Sequence, residues 1–261
     1  LSAVMAGLGF TGVTGNVNQF NGIDAIDGTG GDTLDASMLS SAATIDLNTV
    51  GNTLQSGGES LSFSGVSSLT GTNLDDIVNV TGVHAIDVNT AGGNDRIVIQ
   101  TNSSDITGTI DGGSETTQDV LDLSLLSLGR IVDSVLLNDI ESLIGTGGND
   151  TLIGNVAGSA FTVTGASNAG NLDGTLQFSS VETLLGGAGP DSFTIEDTLT
   201  IGAVIGGAGT DTLDLSGYTS ARSVQLSAVV ASNGFTGSES AVSTFTGIDT
   251  ITASAQAGEE I

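Results

Sequence analysis

Large apolar side chains recur along this chain at a spacing of two, each time just after a glycine-rich stretch that ends in Asp. The stretches IDAIDGTGGDTLDAS from Ile23, VSSLTGTNLDDIVNV from Val66, IDVNTAGGNDRIVI from Ile86 and ITGTIDGGSETTQDVLDLS from Ile106 share this plan. So do IESLIGTGGNDTLIG from Ile140, VETLLGGAGPDSFTI from Val181 and AVIGGAGTDTLDLS from Ala203. The anchoring acids are Asp32, Asp76, Asp95, Asp119, Asp150, Asp191 and Asp211. Two residues after them stand Leu34, Val78, Ile97, Leu121, Leu152, Phe193 and Leu213; four residues after them stand Ala36, Val80, Ile99, Leu123, Gly154, Ile195 and Leu215. Alternation with period two describes a strand with one buried face. The Gly, Asn and Asp content ahead of each anchor is that of a turn with positive φ angles. No segment has sustained helical periodicity, and LLSLGRIVDSVLL at 125–137 reads as two strands beside Gly129.

Strand, turn and strand repeated at this interval predict an all-β fold, an elongated parallel β-solenoid of the β-helix or β-roll kind. It would have about 20 residues per coil and rungs about 4.8 Å apart. The closest anchor spacings, 95 − 76 = 19 and 211 − 191 = 20, are one coil each. The expected core is Val80, Ile97, Ile99, Leu121, Leu123, Leu152, Phe193, Ile195, Leu213 and Leu215. A longer repeat is superimposed on the short one. Residues 1–26 match 226–251 without a gap, with 15 identities in 26 positions and an offset of 226 − 1 = 225. We therefore expect residues 1–261 to form one continuous solenoid, slightly more than one unit of a tandem repeat, with 1–26 equivalent to 226–251. Copies of itself, in tandem or head to tail, are the expected partners. The opening LSAVMAGLGF has no basic start and reads as a cut inside a longer chain rather than as a signal peptide.

Charge narrows the functions. The chain carries 30 acidic residues against three Arg and no Lys, for a net charge of −27. That balance excludes nucleic acid and anionic lipid as partners, since both require basic surface. No run of apolar residues is long enough to insert in a membrane as a helix. Absence of Cys removes disulfides and thiolate metal sites. Catalytic chemistry has little to draw on. His84 shares parity with Ile86 and Val88 and reads as a structural residue. Arg96, Arg130 and Arg222 read as partners of nearby surface carboxylates. The acid pairs Asp75–Asp76 and Glu259–Glu260 lack the aromatic platforms of a glycan-cleaving groove, because the chain has one Tyr and no Trp. The Gly-rich turns precede strands and carry acid where a phosphate-binding loop has Lys.

Two of the turns, GGAGPDSFT (186–194) and GGAGTDTLD (206–214), match GGxGxDxUx, the hemolysin-type RTX nonapeptide, and GTGGNDTLI and GTGGDTLDA are looser versions. The phrase DTLDLSGY, VQL and FxGIDxI resembles linkers in giant bacterial surface and adhesin-like proteins. The resemblance implies a secreted protein whose turns bind calcium between stacked coils through turn carbonyls and the Asp carboxylate. It implies as metal ligands Asp191 and Asp211 with the carbonyls of Gly187, Gly189, Gly207 and Gly209, and next the turns of Asp76 and Asp95. Unlike the family, this chain spreads its motifs out instead of running them back to back, so only neighbouring coils can form a site. Calcium takes hard oxygen donors, and the alternative reading of GGxGxD is a plain turn in which Asp bonds its own backbone.

The expected function is a non-catalytic structural and adhesive module of a large secreted or surface-anchored bacterial repeat protein: a filament, an S-layer-like coat or an adhesin stalk. It would be extracellular, at the cell surface, and other surface proteins or glycans are further candidate partners. The alternatives are a ligand- or ice-binding solenoid, for which GTGGND at 145–150 occurs only once, and a polysaccharide-active β-helix module.

Overall fold

The structure, a computed structural model, describes residues 3–5, 9–12, 20–113, 118–229 and 233–253. The chain forms two compact units, one of Leu1–Leu126 with Leu136–Ser142 and one of Ser127–Val135 with Leu143–Ile261. The described residues are all-β apart from a single 3₁₀ turn at Ser134–Leu136.

In the first unit, the strands after Asp76, Asp95 and Asp119 pair in parallel and in register and stack on Ala43–Asn48, whereas the residues after Asp32 pair with Glu59–Thr70. Ala43–Asn48, Ile77–Thr81, Arg96–Ile99 and Val120–Asp122 form one column. Its inward residues stack Ile45 on Val78 on Ile97 on Leu121, and Leu47 on Val80 on Ile99. The sequence steps are 78 − 45 = 33, 97 − 78 = 19 and 121 − 97 = 24, so the chain between paired strands varies in length while register does not. A second column runs Ala25–Asp35, Glu59–Thr70, Asp87–Asn89, Ile110–Asp111 and Leu137–Asn138, with Leu34, Leu69, Val88, Ile110 and Leu137 in line.

The second unit repeats the arrangement. Ile131–Asp133, Thr151–Ile153, Thr183–Gly187, Ile201–Gly207 and Val242–Ile248 are one parallel column, stacking Val132, Leu152, Leu184, Val204 and Phe245. Ala160–Val163, Ser192–Ile195, Thr212–Asp214 and Thr250–Thr252 are the other, stacking Phe161, Phe193, Leu213 and Ile251. The rings of Phe161 and Phe193 lie parallel, 5.1 Å apart. Like sits on like because parallel in-register pairing keeps the same parity facing inward on every rung.

All ten expected core residues are buried, and so is every residue two places after an anchor. Truncating the stacked ring by Phe193→Ala is expected to cost about 3–5 kcal/mol, read from the midpoint shift in urea.

Antiparallel hairpins interrupt the parallel columns. Asn52–Ser56 folds back between Ala43–Asn48 and Glu59–Thr70 through Gly57 and Gly58, both at positive φ. Gly170–Leu172 pairs antiparallel with Ala160–Val163 and with Leu176–Ser179, turning at Asp173 and Gly174, again both at positive φ. Gln225–Val229, Phe235–Ser238 and Val242–Ile248 form an antiparallel meander, as do Ala3–Met5, Gly9–Gly12 and Phe20–Ile23. The segment 125–137 contains the strand Ile131–Asp133 and leaves Leu125, Leu128 and Ile131 exposed.

Candidate functional site

Apart from Asp32, which lies in the strand Ala25–Asp35 opposite Val66, each anchoring Asp ends a turn where the main-chain N–H has no strand partner. A carboxylate from the next rung meets it. In the first unit Ala43 N donates to Asp76 Oδ1 at 2.6 Å, Asp76 N to Asp95 Oδ1 at 2.6 Å, and Asp95 N to Asp119 Oδ1 at 2.7 Å. Asp119 N then donates to Glu141 Oε2 at 2.9 Å. In the second unit Arg130 N donates to Asp150 Oδ1 at 2.6 Å and Asp150 N to Glu182 Oε2 at 2.9 Å. A parallel series there runs from Ser159 N to Asp191 Oδ1 at 2.7 Å, Asp191 N to Asp211 Oδ1 at 2.9 Å, and Asp211 N to Asp249 Oδ2 at 2.9 Å. Asp76, Asp95, Asp119, Asp150, Asp191 and Asp211 are all buried, whereas Asp32 is exposed and bonds only within its own turn, to Thr29.

The second carboxylate oxygen divides the turns into two kinds. Where Thr stands four residues before the anchor, that oxygen is satisfied. Thr72 donates its N–H to Asp76 Oδ2 (2.6 Å) and its hydroxyl to Oδ1 (2.8 Å), and Thr146 donates both its N–H (2.6 Å) and its hydroxyl (2.9 Å) to Asp150 Oδ2. Where Gly or Ala stands there, at Gly187, Gly207 and Ala91, the residue adopts positive φ. In those turns Oδ2 of Asp191, Asp211 and Asp95 is buried without a hydrogen-bond partner. The two full nonapeptide matches both belong to this unsatisfied kind.

The Gly five residues before Asp76, Asp150, Asp191 and Asp211 has a packing role. A Cβ on Gly71 would lie 2.5 Å from Asp76 Oδ2 and 2.6 Å from Thr90 O. A Cβ on Gly186 would strike Asp191 Oδ2 and Gly206 O, and one on Gly206 would strike Asp211 Oδ2 and Gly247 O. The carboxylate thus occupies space that any side chain would fill, beside a carbonyl of the following rung. At Asp191 and Asp211 this sets an unpartnered carboxylate oxygen near another acceptor, which disfavours the charged form of the acid.

The acidities follow. Burial pushes Asp95 up to about 7 against the N–H of Asp76 and the nearby hydroxyl of Thr90, with the charges of Asp76 and Asp119 adding repulsion. Burial likewise pushes Asp191 up to about 6, and the charge of Asp211 adds to it. Asp211 and Asp76 are raised, in both cases first by burial. Desolvation, more than repulsion between neighbouring carboxylates, makes these groups hold their protons.

The expected ligand residues are brought together in part. The turns 186–191 and 206–211 do stack, with Gly187 opposite Gly207 and Asp191 bonded to Asp211. The turns of Asp76 and Asp95 stack in the same way. The carbonyl of Gly187 accepts the N–H of Ala208, and the oxygens beside the unpartnered carboxylates belong to Gly206 and Gly247. Among the described residues no three His, Cys, Asp or Glu converge on one point. The available donors are all hard oxygen, the type calcium takes, but fewer than its usual six to eight or so.

Of the remaining candidates, His84 Nε2 lies 3.1 Å from Thr81 O. Arg96 pairs with Asp122. Arg222 pairs with Glu239 at 2.5 Å under the Tyr218 ring and is largely buried, not on the surface. Asp75 is exposed and accepts from Asn94 N at 2.8 Å. Glu259 and Glu260 lie outside the described residues. Glu141, Glu182 and Asp249, which end the series, follow no Gly-rich turn. Their signal is the recurring phrase apolar–acid–x–apolar, as in IESL, VETL and IDTI. No protein-family model matches this chain, and no curated protein sequence matches it.

Proposed function

We propose that this chain is a non-catalytic structural and adhesive module of a large secreted or surface-anchored bacterial repeat protein, similar to the RTX repeats. In this reading the parallel rungs are successive coils of a β-solenoid. The observation that supports it best is the carboxylate series. Six of the seven anchoring acids, the most repeated polar feature of the chain, turn inward and accept a main-chain N–H from a neighbouring segment. The outer acids give a surface charge that favours solubility outside the cell and repels itself unless cations gather on it.

The unpartnered oxygens of Asp95, Asp191 and Asp211 supply the ion dependence. In our proposal a proton neutralises them below their raised pKa values, and calcium does so above. The best-placed donors are Asp191 Oδ2 and Asp211 Oδ2 with the carbonyls of Gly206 and Gly247, water completing the shell.

Melting curves at pH 8 with calcium and with chelator test this. Calcium at about 100 times its dissociation constant is expected to stabilise the wild type by about 2.7 kcal/mol through mass action. The double variant Asp191→Ala with Asp211→Ala is expected to lose most of that response. A wild-type melting temperature indifferent to both additions rejects calcium and leaves the turns as caps alone.

A further inference from the structure

We infer, resting on the calcium reading above, that Ser159 is an uncharged anchor in the same column as Asp191 and Asp211, and that it is the residue confining cation binding in that column to the two aspartates.

The stretch GNVAGSAF at 154–161 has no Asp, and nothing in its composition marks it as an anchor turn. The structure builds it as one. Ser159 N donates to Asp191 Oδ1 at 2.7 Å, as Asp191 N does to Asp211 Oδ1 at 2.9 Å. The carbonyl of Ser159 accepts Ser192 N at 2.9 Å, as the carbonyl of Asp191 accepts Thr212 N at 2.9 Å. Two residues on, Phe161 stacks on Phe193, which itself lies two residues after Asp191. Five residues before stands Gly154. A Cβ there would lie 2.5 Å from Ser159 Oγ and 2.8 Å from Gly186 O. Gly186 stands in the same relation to the Asp191 carboxylate and Gly206 O. Ser159 is buried like the aspartates that follow it.

The three corners differ in what the side chain must hold. At Asp191 and Asp211 one carboxylate oxygen takes the N–H of the preceding anchor, and the other is buried without a partner. Ser159 has a single side-chain oxygen, and it accepts the N–H of Asn155 from its own turn at 2.7 Å. The other edge of Ala160–Val163 is taken by the antiparallel strand Gly170–Leu172. There Asp173 Oδ1 holds Ala160 N at 2.7 Å. No preceding anchor N–H reaches Ser159 among the described residues, so one oxygen suffices. Its hydroxyl carries a proton of its own and leaves the corner uncharged. A carboxylate at 159 would repeat the unpartnered oxygen of the later rungs. It would also join Asp191, which holds the N–H of residue 159, and Asp173, which holds the next one. Three buried or adjoining acids without a donor between them would call for a further cation. Gly154 keeps free the space that the Asp191 carboxylate fills beside Gly186.

Ser159→Asp in the full-length chain tests this, with calcium as the only added ion and uptake counted by equilibrium dialysis at pH 8. The variant is expected to bind about one more calcium ion per chain than the wild type. It should melt below the wild type in chelator and recover in calcium. Ser159→Asn adds an uncharged side chain of the same size and is expected to keep the wild-type count. Ser40→Asp adds an acid at an exposed position and is also expected to keep it. A folded Ser159→Asp chain with the wild-type count overturns the inference, while calcium uptake by the wild type keeps the calcium reading. If neither Ser159→Asp nor Ser159→Asn folds in calcium, the corner has no room for a second oxygen and the inference fails on geometry. A wild type that takes up no calcium rejects the calcium reading, and the role of Ser159 falls with it.

Discussion

Gly206→Ala is expected to destabilise the protein by about 3 kcal/mol, far more than a surface Gly→Ala change. The new methyl group would overlap both the Asp211 carboxylate and the carbonyl of Gly247. Neither can yield cheaply. Asp211 Oδ1 holds the main-chain N–H of Asp191 on one rung, and Asp211 N is held by Asp249 Oδ2 on the next. Moving the carboxylate breaks a tie between rungs and strands a buried N–H; moving the carbonyl disturbs the parallel pairing of Ile201–Gly207 with Val242–Ile248. Gly186→Ala meets the same two kinds of neighbour, Asp191 and Gly206, and is expected to behave alike. Gly217 is the control: a Cβ there meets nothing within 4 Å, so Gly217→Ala is expected to be neutral or stabilising by up to about 1 kcal/mol. Urea titrations of the three variants beside the wild type decide the matter. If Gly206→Ala and Gly217→Ala unfold at the same urea concentration, the turn glycine has no packing role.

That role could not be read along the chain. The glycines ahead of the anchors look like residues chosen for positive φ, and Gly187, Gly207 and Gly209 do adopt it. Gly71, Gly145, Gly186 and Gly206 do not. They are small because a carboxylate from their own turn and a carbonyl from the next rung share the space of a side chain. Only the stacked rung reveals that need. The alternation after each anchor was legible for the opposite reason: parity along a strand is local, so Leu152, Phe193 and Leu213 face inward whatever lies above them. The hairpins were legible too, in principle. Gly57-Gly58 and Asp173-Gly174 are two-residue turn signals between alternating stretches, but a reading tuned to parallel coils passes over them. Of the candidate site, the anchors and the stacking of 186–191 on 206–211 followed from spacing. Glu141, Glu182 and Asp249 did not, since they cap a corner without a Gly-rich turn. Nor did the split between Thr-bearing and Gly-bearing turns, which depends on a single N–H direction four residues before the anchor.

Without divalent cations, stability is expected to peak near pH 4–5 and to fall as pH rises through about 6 and 7. Asp191 and Asp95 have folded pKa values of about 6 and about 7, above the ordinary 3.8. The folded state therefore binds protons that the unfolded chain has released, and between these limits stability declines with pH. Their contribution is fully present below the unfolded value and lost as pH passes the folded one. Asp87, lowered by the N–H and hydroxyl of Thr109, and Asp197, lowered first by the hydroxyl of Thr219, act in the other direction. Their stabilisation is present above the ordinary carboxylate range and lost as pH falls below it, which sets the acid limb. Asn in place of Asp separates the two kinds of turn. In Asp191→Asn the amide keeps the acceptor for Ser159 N and places a donor beside Gly206 O, imitating the protonated acid. This variant is expected to melt several degrees higher than wild type at pH 8 in chelator, with a flatter pH profile and a weaker calcium response. In Asp76→Asn an NH₂ group in place of Oδ2 faces the N–H of Thr72, donor against donor, and a loss of about 1–3 kcal/mol is expected at every pH above 5. Thermal melts of both variants from pH 4 to 9, in calcium and in chelator, measure this. Equal destabilisation by the two substitutions at pH 8 would mean that the unpartnered oxygens are not where the pH dependence arises.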